Sequence, residues 1–402
     1  MSNDAHDISN PRATMAFFGH TDAETTLLRA YQSGQIPHAW LIGGPQGIGK
    51  ATLAYRFARF VLANPPILKS SNPSRDANPP IRQSSFLVTG GAGFVGSNIV
   101  EELVRLGHNV RVLDNFATGK RENIAPLLKQ IELIEGDIQD EETCRQAVKD
   151  IDYVLHQAAM PSVPRSLNEP VTTTEINVMG TVKLLTAAAK AKVRRFVYAA
   201  SSSAYGDQPV PVKREDLIPK PLSPYAAAKL AGEYFCQAYS QSMGLETIGL
   251  RYFNVFGPRQ DPKSQYSAVI PLFITAIMEG RRPTIYGDGS QTRDFTYVAN
   301  AVQAVVLAAY SNDPKCLGEV FNVAFGSRTS LLELVGALRN ELAIIDPAIG
   351  EVGVEHVAER SGDIRDSLAD ISKAKALLGY APEVDLKAGL AKAVPWYVKN
   401  WG

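Results

Sequence analysis

The sequence predicts an α/β fold built on a doubly wound parallel sheet, and three observations carry that prediction. From Phe86 onward, short apolar runs alternate with stretches of helical periodicity, the pattern of parallel strands covered by helices. The first run, Phe86-Leu87-Val88, leads directly into a turn with glycines at Gly90, Gly93 and Gly96, and Gly91, Gly93 and Gly96 satisfy a second glycine spacing. The next apolar run, Asn109 to Leu113, ends in an acid, Asp114.

Each element has a physical reason. After the turn, Val95, Ile99, Leu103 and Leu106 recur at helical spacing, and Gly107 stops the helix. The glycines let the chain turn tightly and bring bare backbone up to a pyrophosphate. The helix N-terminus behind them, with Phe94 and Val95, supplies N–H donors and a partial positive charge. Asp114 is placed to accept from an adenosine ribose hydroxyl and to disfavour a 2′-phosphate. Strand, turn, helix, strand and acid fall in order, so a Rossmann dinucleotide site is expected, with NAD preferred over NADP.

Bulk properties set the class. The chain of 402 residues carries 41 basic and 41 acidic side chains, which argues against broad binding to nucleic acid or to a membrane surface. Three widely spaced cysteines, Cys144, Cys236 and Cys316, fit reduced thiols better than a disulfide framework or a metal site. The polar start, Met1 to Asn10, does not read as a signal peptide, and no apolar run is long enough to span a membrane. The expectation is a cytoplasmic protein with no metal.

Residues 1–63 read as a unit of their own. Thr25 to Tyr31 is a helix candidate, Ala39 to Ile42 a short strand, and Gly44-Pro45-Gln46-Gly47-Ile48-Gly49-Lys50-Ala51-Thr52 is nearly a phosphate-cradling P-loop. Ala51 stands where the magnesium-binding hydroxyl belongs, and Thr52 comes one residue late. The stretch from Phe18 to Ala63 resembles the N-terminus of the DNA polymerase III delta-prime subunit, a clamp-loader protein, cut off after its first P-loop helix. It reads as a truncated or fused remnant, and a nucleotide- and partner-binding module is the alternative of another class. Residues 64–85, rich in Pro, Ser and Asn, read as a linker. Residues 86–260 form the expected Rossmann domain. Residues 261–402 are mainly a smaller C-terminal substrate-binding α/β domain, with some segments returning to the sheet.

Further along, Ile131 to Ile134 is a strand ending at Gly136-Asp137-Ile138, where Asp137 reads either as a contact to the adenine edge or as a helix cap. Tyr153 to Leu155 is a strand followed by His156-Gln157-Ala158-Ala159, whose small residues let a cofactor lie flat, with His156 structural. Glu175 to Lys190 is expected as one long helix with Asn177 near its start. The strand Phe196 to Ala199 runs on to Ser201-Ser202-Ser203. Then Pro224-Tyr225-Ala226-Ala227-Ala228-Lys229 sets Tyr225 and Lys229 on one helix face. A phenol is a poor base at neutral pH, but an adjacent ammonium and a nicotinamide cation favour the phenolate. Ser201 is placed to hydrogen-bond the reacting hydroxyl. The catalytic candidates are therefore Tyr225, Lys229, Ser201, Ser202 and Ser203.

Taken together, residues 86 to about 400 resemble an extended short-chain dehydrogenase/reductase, in particular the UDP-glucose/UDP-N-acetylglucosamine 4-epimerase group. The resemblance lies in Thr89 to Gly96, Leu113-Asp114-Asn115, Gly136-Asp137-Ile138, Ser223 to Lys229 and Leu250 to Gly257. It continues through Tyr286 to Gly289, Arg293-Asp294-Phe295 and Glu359 to Asp363. It implies an NAD site that also draws on Asn115, Thr118, Gly119, Asp137, Ile138, Gln157, Ala158, Ala159 and Asn177, beside Tyr225 and Lys229. For the UDP-sugar it implies Ser162, Arg165, Ser201, Asn254, Val269, Tyr286, Arg293, Arg360, Asp363 and Ser367, with the arginines suited to phosphate.

The implied reaction is transient oxidation at C4 of a UDP-sugar with NAD retained. Ser202 and Ser203 stand where dehydratases and decarboxylases of this family carry an acid, which argues against both of those reactions. Ser367 matches a position at which a bulky Tyr closes the pocket of epimerases restricted to unsubstituted sugars, so room for an N-acetyl group is expected. Pro161 replaces a Lys common in UDP-glucose epimerases. Arg165 could serve a uronate carboxylate, which keeps a UDP-hexuronic acid 4-epimerase open as the alternative. The family also implies a homodimer through the helices Asn177–Lys190 and Pro224–Met243, with Val182, Leu185 and Ala189 as apolar face residues or as intramolecular core.

Overall fold

The computed structural model describes residues 22–23, 25–27, 50–54, 57, 83–262, 268–347, 349, 352–358 and 366–400. The chain divides into two compact units, Met1–Arg82 and Gln83–Gly402. The described residues of the first unit are helical, with Leu27 and Leu53 buried, and Lys50, Ala51 and Thr52 lie in one of these helical pieces. Gly44 to Gly49, the strand expected at 39–42 and the linker residues 64–82 lie outside the described residues.

The second unit is organised by seven parallel strands: β1 (Ser85–Thr89), β2 (Asn109–Asp114), β3 (Ile131–Glu135), β4 (Tyr153–His156), β5 (Arg195–Ser201), β6 (Glu246–Tyr252) and β7 (Glu319–Val323). They lie side by side in the order β7-β6-β5-β4-β1-β2-β3. The order reverses between β1 and β4, and that switch point opens a crevice at the carboxyl ends of the strands. Side-chain alternation explains why both faces are covered. On β1, Phe86 and Val88 enter one core and Leu87 the other; on β5, Val197 enters the first and Phe196, Tyr198 and Ala200 the second.

Four helices follow the early strands: α1 (Phe94–Arg105), α2 (Glu141–Ala147), α3 (Thr181–Lys190) and α4 (Pro224–Ser242). Farther on come α5 (Val269–Met278), α6 (Val298–Tyr310), α7 (Leu331–Ala343) and α8 (Leu386–Lys399). Ile99 and Leu103 of α1 and Ala301 and Val305 of α6 cover one face, while Cys144, Leu184 and Cys236 of α2, α3 and α4 cover the other. Both α6 and β7 belong to the sheet layer although they follow residue 260. The same core runs from Phe86 through Phe273 of α5 and Leu338 of α7 to Tyr397, so the C-terminal segments share it. Among the described residues, no helix is long and apolar enough to cross a membrane.

Two expectations need correction. Glu175 to Lys190 is not one regular helix: Glu175–Gly180 forms a π-helical turn before α3 starts at Thr181. Asn177 turns back to hold the backbone of Met160, and Gly180 packs so tightly on Ile138 that a Cβ would meet its side chain at 2.7 Å. Such a widened turn is a common local answer to a packing demand inside a helix. In addition, Leu185 is fully buried and Ala189 packs against the same core, so these two residues are intramolecular contacts.

Helix α4 approaches β5 closely because Gly232 faces Tyr198. A Cβ at Gly232 would overlap the Tyr198 hydroxyl and ring, and Tyr198 is fully buried with its hydroxyl donating to the Lys229 carbonyl at 3.3 Å. Gly232→Ala should therefore destabilise the protein by about 1–3 kcal/mol, since an added methyl in a packed core forces side chains off their rotamers. A fall in the thermal unfolding midpoint would show it; an unchanged midpoint would mean that α4 can shift without cost.

Candidate active site

The glycine turn forms because no other residue fits it. Gly90 has φ of 66°, and a Cβ there would lie 2.7 Å from the Ala158 nitrogen. At Gly96 a Cβ would overlap the Gly90 carbonyl oxygen. Gly93 donates to the Gly90 carbonyl and is the N-cap of α1, where no side chain caps the helix. The first-turn N–H groups of Phe94, Val95 and Gly96 therefore meet the crevice as helix geometry leaves them.

Asp114 closes the other side of this turn. Its carboxylate accepts from the Ala92 and Phe116 nitrogens, both at 2.8 Å, and burial pushes its pKa up against these bonds. Gly119 lies against that carboxylate, and Lys120 donates its N–H to the Ala92 carbonyl, so the loop carrying Asn115 and Thr118 folds over the turn. The Asn115 amide donates to Asp137 at 2.7 Å. Asp137 also accepts from the Gln139 nitrogen, whereas Asp140 caps α2. Asp137 is thus not the helix cap, and it ties the loop after β2 to the end of β3. Ile138 is core.

At the end of β4, Ala158 donates to the Thr89 hydroxyl at 3.3 Å, with Ala159 following beside it. The Gln157 side chain accepts from Tyr252, and its Nε2 is buried without a partner among the described residues. A compact cradle with no room for a Cβ at Gly90, Gly91 or Gly96, an open helix N-terminus, a strand-end acid and an orphan amide fit a dinucleotide with an unphosphorylated ribose. The Asn177 amide accepts from the Met160 nitrogen and donates to the Met160 carbonyl, so it positions the loop after β4. His156, read as structural, bridges the Thr89 hydroxyl at 2.7 Å and the Thr181 hydroxyl at 2.9 Å, and burial pushes its pKa down to about 3, keeping it neutral.

The catalytic candidates converge at the end of β5. Ser201 is held by Ser203, Oγ to Oγ at 2.8 Å, and its hydroxyl favours the ionised form of the Tyr225 phenol; Ser202 begins the following turn. Ser223 caps α4 through the Ala226 nitrogen, which sets the start of the helix and hence the direction of Tyr225 and Lys229. Lys229 is buried; its Nζ donates to the Ala199 carbonyl at 2.8 Å and lies 5.1 Å from the Tyr198 ring. Burial pushes Lys229 down to about 8. The expected lowering of the Tyr225 pKa rests on Lys229 together with a nicotinamide cation; in the chain by itself the direction is upward. Burial raises it, the Ser201 bond opposes that only in part, and the Lys229 ammonium is directed to a backbone carbonyl.

The remaining candidates are more scattered. Ser162 caps the short helix Val163–Asn168, and Arg165 on it is turned to Glu169 at 3.1 and 3.2 Å. Asn254, with φ of 34°, donates to the Asp294 carbonyl at 3.1 Å. Val269 starts α5, and Tyr286 ends the strand Thr284–Tyr286, where its carbonyl accepts from Gln291. Arg293 lies on the strand Thr292–Arg293 beside Ser367, whose nitrogen donates to the Thr292 carbonyl at 3.2 Å. Arg360 and Asp363 lie outside the described residues. Among those described, no cluster of His, Cys, Asp or Glu could hold a metal. Sequence reading missed the buried Glu233–Arg251 ion pair and the Tyr252–Gln157 contact. Glu233 had a signal, eight residues after Tyr225 on the same helix face.

Comparison with known proteins places this geometry. Residues 86–324 match the family model described as the NAD dependent epimerase/dehydratase family. The chain is 38% identical over 318 residues to a putative UDP-glucose 4-epimerase of Methanocaldococcus jannaschii, covering 78% of this chain and 99% of that one. A solved UDP-N-acetylglucosamine 4-epimerase from Methanobrevibacter ruminantium, in complex with UDP-N-acetylmuramic acid, shares 38% identity with a TM-score of 0.74, over 79% of this chain and 99% of that one. The UDP-glucuronic acid 4-epimerase of Bacillus cereus, solved with UDP-glucuronic acid and NAD, shares 33% identity with a TM-score of 0.71, over the same two shares. With its glycine cradle, strand-end acid and Tyr225–Lys229 pair, the chain belongs to the NAD-dependent epimerase/dehydratase family.

Proposed function

We propose that the protein is a 4-epimerase of UDP-N-acetylhexosamines, interconverting the gluco and galacto configurations. The observation that carries this reading is the convergence of Ser201, at the end of β5, with Tyr225 and Lys229 at the start of α4, Lys229 being tied to the Ala199 carbonyl of the same strand, and no acid at Ser202 or Ser203. In this reading Gly90, Gly93, Gly96, Asp114 and Gln157 would hold NAD, which would supply a reversible acceptor for the hydride of the sugar C4. Tyr225 Oη takes the proton of the 4-hydroxyl, Ser201 Oγ holds the same oxygen, and Tyr225 later returns the proton at the opposite configuration. Because burial keeps the phenol protonated in the protein alone, Tyr225 ionises only as positive charge fills the site.

Turnover at C4 without dehydration requires that no second acid acts on the neighbouring carbons. Ser202 and Ser203 meet that requirement, and Ser203 is already engaged with Ser201. Arg293, Asn254 and, beyond the described residues, Arg360 and Asp363 are the proposed UDP ligands that tether the flat 4-keto sugar while it turns. A uronic acid substrate would need Arg165 to leave Glu169, which favours the uncharged N-acetylhexosamine. A homodimer is proposed through α4, where Tyr234 and Phe235 are exposed next to Leu167, Val171 and Met179 on turns packed against that helix.

Proton NMR of the purified protein with UDP-N-acetylglucosamine should show the C4 epimer, and Tyr225→Phe should lower kcat by about a hundred- to ten-thousandfold. Failure of wild-type protein to epimerise any UDP-sugar, even with NAD added, would end this reading. In the same assay, Ser367→Tyr should reduce kcat/KM for the N-acetylated sugar by about tenfold or more while sparing UDP-glucose, since pocket volume sets this discrimination. Equal losses on both sugars would remove Ser367 from the pocket wall.

A further inference from the structure

The Tyr225 and Lys229 face of α4 continues to Glu233, again four residues on. Glu233 and its partner Arg251, on β6, are each 4% exposed. Their contact is bidentate, Nε to Oε1 at 2.9 Å and Nη2 to Oε2 at 2.7 Å, and the guanidinium stacks 4.6 Å from the Tyr205 ring. An ion pair taken this far out of water rarely adds net stability, because desolvation of both groups offsets their attraction. A hydrophobic pair would pack as well, so the charge itself calls for a role.

The surroundings of Lys229 suggest that role. Its ammonium lies over the Tyr198 ring of β5 and is felt by Glu233 and Cys236 of α4 and by His156 of β4, with Arg251 reaching Glu233 from β6 and Tyr225 four residues before Lys229 on the helix. His156 is neutral, and burial holds the Tyr198 phenol and the Cys236 thiol un-ionised. Glu233 is then the acid of this shell, four residues on from Lys229: burial pushes its pKa up, and the Arg251 guanidinium and the Lys229 charge oppose that rise. Arg251 closes off the carboxylate, so no proton is needed to neutralise it. We propose that Glu233, kept ionised by Arg251, is a positioning residue that holds Lys229 as an ammonium beside Tyr225. The proposal rests on the reading of Tyr225 and Lys229 as the proton-transfer pair.

The sign follows from charge. Lys229 is protonated below about 8 and loses its proton above that, so activity that needs the ammonium falls on the alkaline side. Removing the Glu233 charge weakens the ammonium and moves that fall to lower pH. The test compares wild type, Glu233→Gln and Glu233→Asp as full-length proteins with NAD. Two quantities are read: the pH profile of kcat, and the ultraviolet titration of the Tyr225 phenolate, taken as the difference from Tyr225→Phe in each background. In Glu233→Gln the alkaline limb should move down by about one pH unit and the phenolate should form at higher pH, with KM little changed; Glu233→Asp should restore both.

If both curves of Glu233→Gln superimpose on wild type, Glu233 only packs, whatever happens to the melting temperature, and the proposal is overturned. Should the single variant fail to fold with Arg251 unpaired, Glu233→Gln with Arg251→Met leaves no buried charge behind, and the same shift or its absence decides. The phenolate titration needs no turnover. It therefore tests Glu233 even if wild-type protein epimerises nothing, and the two failures stay distinguishable.

Discussion

The site depends on keeping one cation in a place water does not reach. Lys229 is buried between α4 and β5, and an isolated ammonium there would either lose its proton or destabilise the fold by several kcal/mol. The surrounding structure answers in three ways. The Ala199 carbonyl accepts from Nζ, the face of Tyr198 lies over it, and the Glu233 carboxylate follows one turn later. These contacts also explain the spacing of the layers. Gly232 brings α4 close enough for Tyr198 to reach the Lys229 carbonyl, and Ser223 starts the helix where Tyr225 meets Ser201. The helix register, the glycine contact and the charge on Lys229 are one constraint seen at three levels.

A second constraint acts on backbone. The turn after β1 fits a pyrophosphate by having nothing in the way, and the chain then has to be held in that shape from behind. The Ala92 peptide carries much of this load: its N–H donates to Asp114, and its carbonyl accepts from the Lys120 nitrogen and the Asn123 amide. Thr89, just before the turn, is joined through neutral His156 to Thr181 at the start of α3, and Thr181 donates to the Asn177 carbonyl. The glycine turn and the π-helical turn therefore share one buried hydrogen-bond chain. His156 can sit in that chain because burial removes its charge and leaves each ring nitrogen one hydroxyl partner.

What the sequence disclosed follows the range of the interactions. The glycine spacing, the strand-end acid and the four-residue step from Tyr225 to Lys229 are local patterns, and local geometry places them as expected. The orientation of Asn177 was not open to the same reading. The Asn177 amide is directed by the Met160 loop, which is distant in sequence, and the preference for that loop over solvent appears only once the chain is packed. Arg165 did carry a readable signal, since Glu169 stands four residues on, a spacing at which the two side chains meet on a helix. The effect of desolvation on Tyr225 was likewise not legible: spacing gives proximity to Lys229, whereas burial, which raises the phenol in the chain by itself, appears only once the helix is packed.

The segment 366–370, which carries the proposed pocket residue Ser367, is held in place without using that side chain. Leu368–Ala369 pairs in parallel with Val212–Lys213, the Asp370 nitrogen donates to the Lys213 carbonyl, and the Asn322 amide bridges the Lys213 and Asp370 carbonyls at 2.9 and 3.0 Å. Asp366 accepts from the Thr292 hydroxyl at 2.6 Å, and Asp294, fully buried and pushed up to about 6 by that burial, accepts from the nitrogens of Gly326 and Ala369. Every one of these bonds uses backbone or a neighbouring side chain, and none uses the Ser367 hydroxyl. The main chain at Ser367 is thus fixed from both sides while its side chain carries no structural duty in that network. If Ser367 lines the substrate pocket as proposed, a change there from small to bulky alters what the site admits while the sheet, the glycine turn and the Tyr225–Lys229 pair stay as they are.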